Sequence, residues 1–593
     1  MKIEDYAFLS DTQTGALVGR DGSVDWLCFP RFDSAACFAA LLGDKKNGCW
    51  RFLPADEIKT TRRRYRGDTL ILETDIETAT GVVRLIDFMP PRGKNPDLVR
   101  IIHGIRGKVA MRMQLVIRFE YGSIVPWVRK AHGGLEAIAG ADGLILRTPV
   151  ETRGEDLTTV AEFEVKRGER IPFTLTWFAS HEKPAKAIRP EVALKQTERY
   201  WKKWAKPCLR KGKWPDAIVR SLITLKGLTY APTGGIVAAA TTSLPEKIGG
   251  VRNWDYRYCW LRDATFTLFA FLRVGYHDEA RSWRHWLLRA IAGSASQMQI
   301  LYGVSGERRL PELELSWLPG YEKSAPVRTG NAASNQFQLD VYGEIASSMY
   351  HAQCAGIAAE RPAWDLLISL MDFLEKNWQR PDEGIWEVRG GPKHFTHSKM
   401  MAWLAFRRAV QLVEEHGCPA EDRLGRWRAA RDEIHREVCE RGYSAKKNSF
   451  TQFYGSDALD SSLLMMPLMG FLPLEDKRVR GTVAAIQREL VVAGFVLRYR
   501  PEEEDVDGLP GDEGVFLPCS FWLASCLHLL GQKKKARVLF ERLLKLRNDV
   551  GLLSEEYDPK TKRQLGNFPQ AFTHVALVNT ALLLSGKNSS PRR

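Results

Sequence analysis

From the start of the chain to about residue 185, apolar and polar positions alternate. Met111, Met113, Leu115, Ile117 and Phe119 share one face of a predicted strand, with Arg112, Gln114 and Arg118 on the other. Phe173, Leu175 and Trp177 repeat the pattern around Thr174 and Thr176. A period of two is what side chains pointing alternately to the two faces of a pleated strand produce. Turn signals such as Arg20-Asp21-Gly22 and Ala79-Thr80-Gly81 punctuate the region. Many short antiparallel strands in two layers, a β-sandwich over residues 1–188, is the expected architecture. A charged helical segment at 191–206 then leads out of it, as a linker helix within 189–210.

From about residue 211 the period becomes helical, over about twelve segments. Some are striped: Ala536, Leu539, Phe540, Leu543 and Leu546 oppose Arg537, Glu541, Arg542, Lys545 and Arg547, and Leu424, Trp427, Ile434 and Val438 make a similar stripe. Others, at 260–272, 521–530 and 572–584, are apolar nearly all round. A helix apolar on every side is buried on every side, and a striped one faces water. Alternation of the two kinds predicts inner helices ringed by outer ones. The expected fold is therefore an all-α (α/α)6 double barrel catalytic domain over 211–588, preceded by the β-sandwich. In such a ring all inner helices start at one end, so the residues before them converge on a single cup. The stretches 253–263, 310–331, 386–387 and 497–513, and Glu555, all fall in such positions.

A chain of 593 residues is too long for one ordinary core, and 44% apolar with 26% charged residues is a globular composition. No apolar run reaches about 18 residues, so no membrane span is expected. The opening MKIEDYAFLSDTQTG has neither the basic nor the apolar region of a secretory signal, and the ten cysteines show no CxxC pair or zinc-ligand spacing. A cytoplasmic protein with buried thiols is the expectation. The net charge of +15 raises nucleic acid as a partner. The basic runs at 59–66, 210–213 and 533–535 are dispersed, on predicted loops or polar helix faces, and match no binding motif. A solvated basic surface is expected, with no nucleic-acid partner.

The candidate chemistry lies in two distant stretches that place a carboxylate beside an aromatic ring: Ile385-Trp386-Glu387-Val388 and Ser554-Glu555-Glu556-Tyr557. Breaking a glycosidic bond needs one carboxyl that holds a proton and another that is ionised. A flanking ring offers an apolar surface to a sugar and desolvates the neighbouring acid. Arg262-Asp263 closes an aromatic-rich stretch from Asn253; such a pair can hold sugar hydroxyls or simply make a salt bridge at a helix start. His394 and His397 have no third ligand pattern, so no metal is expected. The acidic run at 502–505, with Asp507 and Asp512, reads as a solvated loop. Arg498 and Arg500 can line the cup or answer that loop.

Together, Arg262-Asp263, Trp386-Glu387, the segment at 554–557 and the segment at 326–331 resemble glycoside hydrolase family 15, which holds glucoamylases and a prokaryotic group of trehalases. The N-terminal segments at 3–6, 22–28 and 30–34 resemble the prokaryotic branch. The likeness covers the whole chain in order. It implies inverting, exo attack on a terminal α-glucosyl residue, without a cofactor. By position it implies Glu387 as general acid, Glu555 as general base, and Arg262 and Asp263 as the pair holding the non-reducing glucose. Trp254, Trp386, Arg328, Tyr557 and Arg498 are the further candidate substrate contacts, and Glu383 and Glu556 the nearest alternative carboxylates. One departure is Val388, where the family often has a second Glu. The expected substrate is a small α-glucoside, α,α-trehalose first; glucans or maltooligosaccharides, and a disaccharide phosphorylase, are the alternatives. Oligomeric state cannot be read.

Overall fold

The computed structural model describes residues 1–593 apart from 185, 209–211, 501–505 and 587–593. Arg210 and the acidic run at 502–505 therefore lie outside the described residues. The N-terminal region is one large antiparallel sheet of fifteen strands from Tyr6 to Ala179. Its spine is the 20-residue strand Asp97–Val116. The first half of that strand pairs with Gly81–Phe88 and Arg170–Ala179; the second half pairs with Cys49–Pro54 and Thr158–Lys166. Met111, Met113 and Leu115 are buried as the alternation predicts. Thr174 and Thr176 are buried too, and the Thr176 hydroxyl bonds Asp97.

The helix Pro190–Ala205 leads out of the sheet. Among the described residues twelve α-helices then follow, from Pro215 to Leu584. They are of the two kinds the pattern separates. Leu517–Leu529 and Ala571–Leu584 are buried almost throughout, whereas Lys533–Leu544 and Leu424–Arg441 bury only a stripe. The buried ones touch in succession. Leu261–Val274 packs on Asp340–Cys354, that on Thr396–His416, and that on the short Ser461–Met469 turns. Leu517–Leu529 follows, then Ala571–Leu584, which returns to Leu261–Val274.

Two expectations need correcting. An all-α description does not hold: fifteen strands precede the helices, and the helical part carries short strand pairs of its own. One of these is a three-stranded piece made by Val515–Phe516, Glu556–Asp558 and Arg563–Leu565. The basic run at 59–66 is also not a loop. Thr60–Tyr65 is a strand, and its alternation turns Arg63 inward, where it is fully buried and paired with Asp549 of the helical part at 2.7 Å.

Further contacts join the two parts behind the predicted cup. The Trp26 indole donates to the Ala240 carbonyl at 2.8 Å, and the Trp317 indole to that of Tyr121 at 3.1 Å. Buried Arg257 pairs with Asp255 and donates to the Tyr121 hydroxyl. The sheet thus backs the stretch that carries Trp254 and Tyr256.

Candidate active site

Each buried helix is preceded by a loop that contributes to one site. Tyr256 and Trp260 precede Leu261–Val274, whose first turn carries Arg262 and Asp263. Asn331 precedes Asp340–Cys354, and the turn with Trp386 and Glu387 precedes Thr396–His416. Asp460 caps the Ser461–Leu464 turn, Arg498 precedes Leu517–Leu529, and Glu555 precedes Ala571–Leu584.

Glu387 sits at φ +59°, in the left-handed region, within a turn closed by its own amide to the Gly384 carbonyl and the Val388 amide to that of Glu383. A non-glycine residue there costs on the order of 1–3 kcal/mol and is characteristic of functional sites. The turn aims the carboxyl at Trp260 and Arg262, whose Nε1 and Nη1 donate to Oε1 at 2.8 and 3.1 Å. Arg262 also holds Asp263 Oδ2 at 2.9 Å and the Ile385 carbonyl at 2.7 Å, and lies over the Phe572 ring. Burial holds the Glu387 carboxyl above the usual range, opposed chiefly by Arg262.

Glu555 is deeper still, 1% exposed against 14% for the Glu387 side chain. The Asn567 amide donates to its Oε2 at 3.2 Å, and the Tyr256 hydroxyl bonds it as well. Gly566 sits against this carboxyl at φ +72°; a Cβ there would come within 2.5 Å of Oε2, so both the conformation and the close approach require glycine. Burial and then the neighbouring Glu246 carboxylate push Glu555 upward, while Arg498 pulls it down. Arg498 itself is engaged by Glu513, by Glu246 at 2.9 Å and by Glu556 at 3.5 Å. Carboxylate oxygens of Glu246, Glu513 and Glu556 lie within 4.8 Å of one another, the one grouping with cation-binding spacing among the described residues. A guanidinium supplies its positive charge.

Two adjoining pockets result. The inner is lined by Arg262, Asp263, Glu387, Glu555, Phe516 and Phe572; the outer by Glu246, Arg252, Trp254, Asn331, Arg389 and Asp507. Tyr256, Trp386, Glu387 and Arg498 border both. The inner pocket therefore offers two buried carboxyls, an Arg-Asp pair and aromatic faces around one small space. Such a set suits acid–base cleavage of a sugar bond.

Of the residues singled out in the sequence, Glu387, Glu555, Arg262, Asp263, Trp386, Trp254 and Arg498 line these pockets. Arg328 and Tyr557 do not. The Arg328 guanidinium braces one face of the Trp254 ring at 4.7 Å, with Arg389 also over that ring at 4.2 Å. Tyr557 follows Glu556 on a strand, so alternation turns it away, and it packs on Phe495. The alternative carboxylates are occupied elsewhere: Glu383 accepts from the Phe337 amide and Glu556 from that of Gly514. His394 stacks on Tyr454, and His397 is buried in the next helix, pushed down to about 3 by burial.

Sequence reasoning missed Glu246, Trp260's bond to Glu387, and Asp460, which holds the Trp386 indole at 2.9 Å. Asp460 had a signal: it lies just before the apolar, buried Ser461–Met469 turns. Glu246 had none, being one acidic residue in a long loop.

Residues 212–582 match the family Glycosyl hydrolases family 15, and residues 1–201 match the family Trehalase-like, N-terminal. A trehalase of Mycobacterium tuberculosis is 40% identical over 98% of this chain and 89% of its own length. One of Mycolicibacterium smegmatis is 41% identical over 98% and 91%. A bacterial glucoamylase solved with acarbose superposes with a TM-score of 0.72 at 13% identity, covering 99% of this chain and 94% of its own. That last likeness is one of fold.

Proposed function

The chain belongs to glycosyl hydrolase family 15, and from that premise we propose that it is an α,α-trehalase. The observation that carries this reading is the pair of adjoining pockets, one for each glucose, meeting at Glu387. Identity of 40% or more to two trehalases over nearly the whole chain supports trehalose over glucans. The fold reading is an (α/α)6 double barrel at 211–588 behind a β-sandwich at 1–188 and a linker at 189–210. Helix contacts that run round six buried segments and return to the first support it. Buried thiols at Cys28, Cys37, Cys259, Cys519 and Cys526 suit a reducing, cytoplasmic setting.

In this reading Arg262 and Asp263 grip hydroxyls of the non-reducing glucose in the inner pocket. Glu387 gives its proton to the bridging oxygen, and the second glucose leaves through the outer pocket. Glu555 takes a proton from a water that attacks the anomeric carbon from the opposite face, inverting it. Backbone, Tyr256 and Trp260 donors favour ionisation of both carboxyls, so the two roles rest on the family motif.

Two experiments test this. Early products of trehalose should be one α- and one β-glucose by NMR, with maltotetraose a poor substrate; exclusively α-glucose would overturn inversion. Glu387→Gln should lose about 10²–10⁴ in kcat on trehalose yet retain activity on α-glucosyl fluoride, whose leaving group needs no proton. Glu555→Gln should lose both, and the reverse outcome would exchange the two roles.

A further inference from the structure

Neither carboxyl accounts for the way residues 506–511 cross the outer pocket. Asp507 is 2% exposed and tied on every side. Its Oδ2 accepts from Arg252 Nη2 at 2.7 Å and the Tyr499 hydroxyl at 3.0 Å, and its Oδ1 from the Leu509 amide at 3.0 Å. Its own carbonyl accepts from the Arg389 amide at 2.8 Å. Arg252, 3% exposed, reaches the Leu509 and Gly511 carbonyls as well, at 3.2 Å each. Val506 packs into a small apolar cluster with Val388 and Phe395. Gly508, at φ +64°, lies so close to the 389–390 backbone that a Cβ would come within 2.8 Å of it.

Asp507 and Leu509 of this segment line the outer pocket beside Trp254 and Arg389. Residues 388–390, two of which border that pocket, are the same ones the segment docks on. Val388, at the position after Glu387 where the resemblance leads one to expect a second Glu, meets Val506. A carboxylate at that point would be buried in an apolar contact.

We propose that residues 506–511 form a strap closing the far side of the outer pocket, so that it admits one leaving sugar unit and no longer chain. Asp507 and Arg252 are the residues that set this limit. The proposal rests on the reading of the two pockets as glucose sites. A buried, hydrogen-bonded ion pair is costly to break once formed, because each partner left alone is an uncompensated charge. A longer glucan, which must thread past the second sugar, would have to break it; a disaccharide would not.

The test measures kcat and KM of the full chain and of Gly508→Ala and Asp507→Asn variants on trehalose, maltose, maltotriose and maltotetraose. Gly508→Ala removes no group lining the pocket and acts only by lifting the strap from the 389–390 backbone. The unaltered protein should turn over maltotetraose at below about 1% of the kcat/KM of its best disaccharide. Both variants should raise that ratio at least about tenfold, through a gain in kcat/KM on maltotriose and maltotetraose. Far-UV circular dichroism and melting curves establish that the variants are folded. Folded variants with an unchanged ratio, or an unaltered protein equally active on maltotetraose, would overturn the strap. If neither variant folds, the ratio for the unaltered protein decides. If maltose outranks trehalose while maltotetraose is refused, the trehalase reading falls and the strap stands.

Discussion

At the scale of single residues, the site is built from side chains that constrain one another. Trp386 was legible as an aromatic neighbour of Glu387, yet its indole is turned to Asp460 and its ring lies beside Phe516 and Trp522. The ring that bonds Glu387 is Trp260, from another helix start. Its N–H favours the ionised carboxyl and so works against the burial that raises Glu387. Replacing Trp260 with Phe removes that donor, so the Glu387 pKa should rise further. With Glu387 as the proposed general acid, activity lost on its deprotonation is then lost later. The basic limb of the kcat/KM profile should move to higher pH, and a limb that stays put or moves down would show that the bond does not tune the acid.

At the scale of elements, helix starts concentrate buried charge. Asp340 opens the helix Asp340–Cys354, a position where the dipole favours a carboxylate. Burial wins nonetheless: although Arg262 and the backbone amides of the first turn favour the ionised form, the group is pushed up to about 6. The folded state therefore holds this proton more tightly than the unfolded chain, where the group titrates near about 3.9. The contribution is fully present below that value and is lost as pH rises to about 6. An Asp340→Asn variant should lack this loss, so the stability difference between the two proteins should change by on the order of 3 kcal/mol across that window and stay flat above it. Urea unfolding at pH 4 and pH 7 measures this; parallel pH dependences would refute it. The helices themselves were legible because their burial periods differ. The short strand pair between Val515–Phe516 and Glu556–Asp558 was not, because two residues carry no period.

At the scale of the whole molecule, the sheet and the helices are tied through groups that neither part can satisfy alone. Arg63 is buried within the sheet with Asp549 of the helical part as its partner, and it also donates to the Val18 carbonyl. The Asp549→Ala variant leaves a buried guanidinium without its counter-charge. It should cost about 3 kcal/mol, at the low end for buried pairs because Asp549 is 28% exposed. The urea midpoint should fall accordingly, and a change below about 0.5 kcal/mol would mean that the tie does not hold the parts together. The helix Pro215–Gly227 makes the same point. It is buried where the sheet covers it: Gly227 lies against Phe8 and Leu70, and Arg220 lies over the Tyr65 ring.

By itself the sequence determined where each kind of element lies, and that the polar and aromatic clusters fall before buried helices. Periodicity is a local property, and burial imprints it residue by residue. It also singled out the two carboxyls that line one pocket, since their motifs are short and contiguous. Only the tertiary structure decided what surrounds them: Glu246 beside Glu555, the Arg498 pairing, Trp260 on Glu387, and Asp507 clamped by Arg252 255 positions away. These contacts join residues far apart in the chain, and a linear pattern holds no record of which distant charge will be brought alongside.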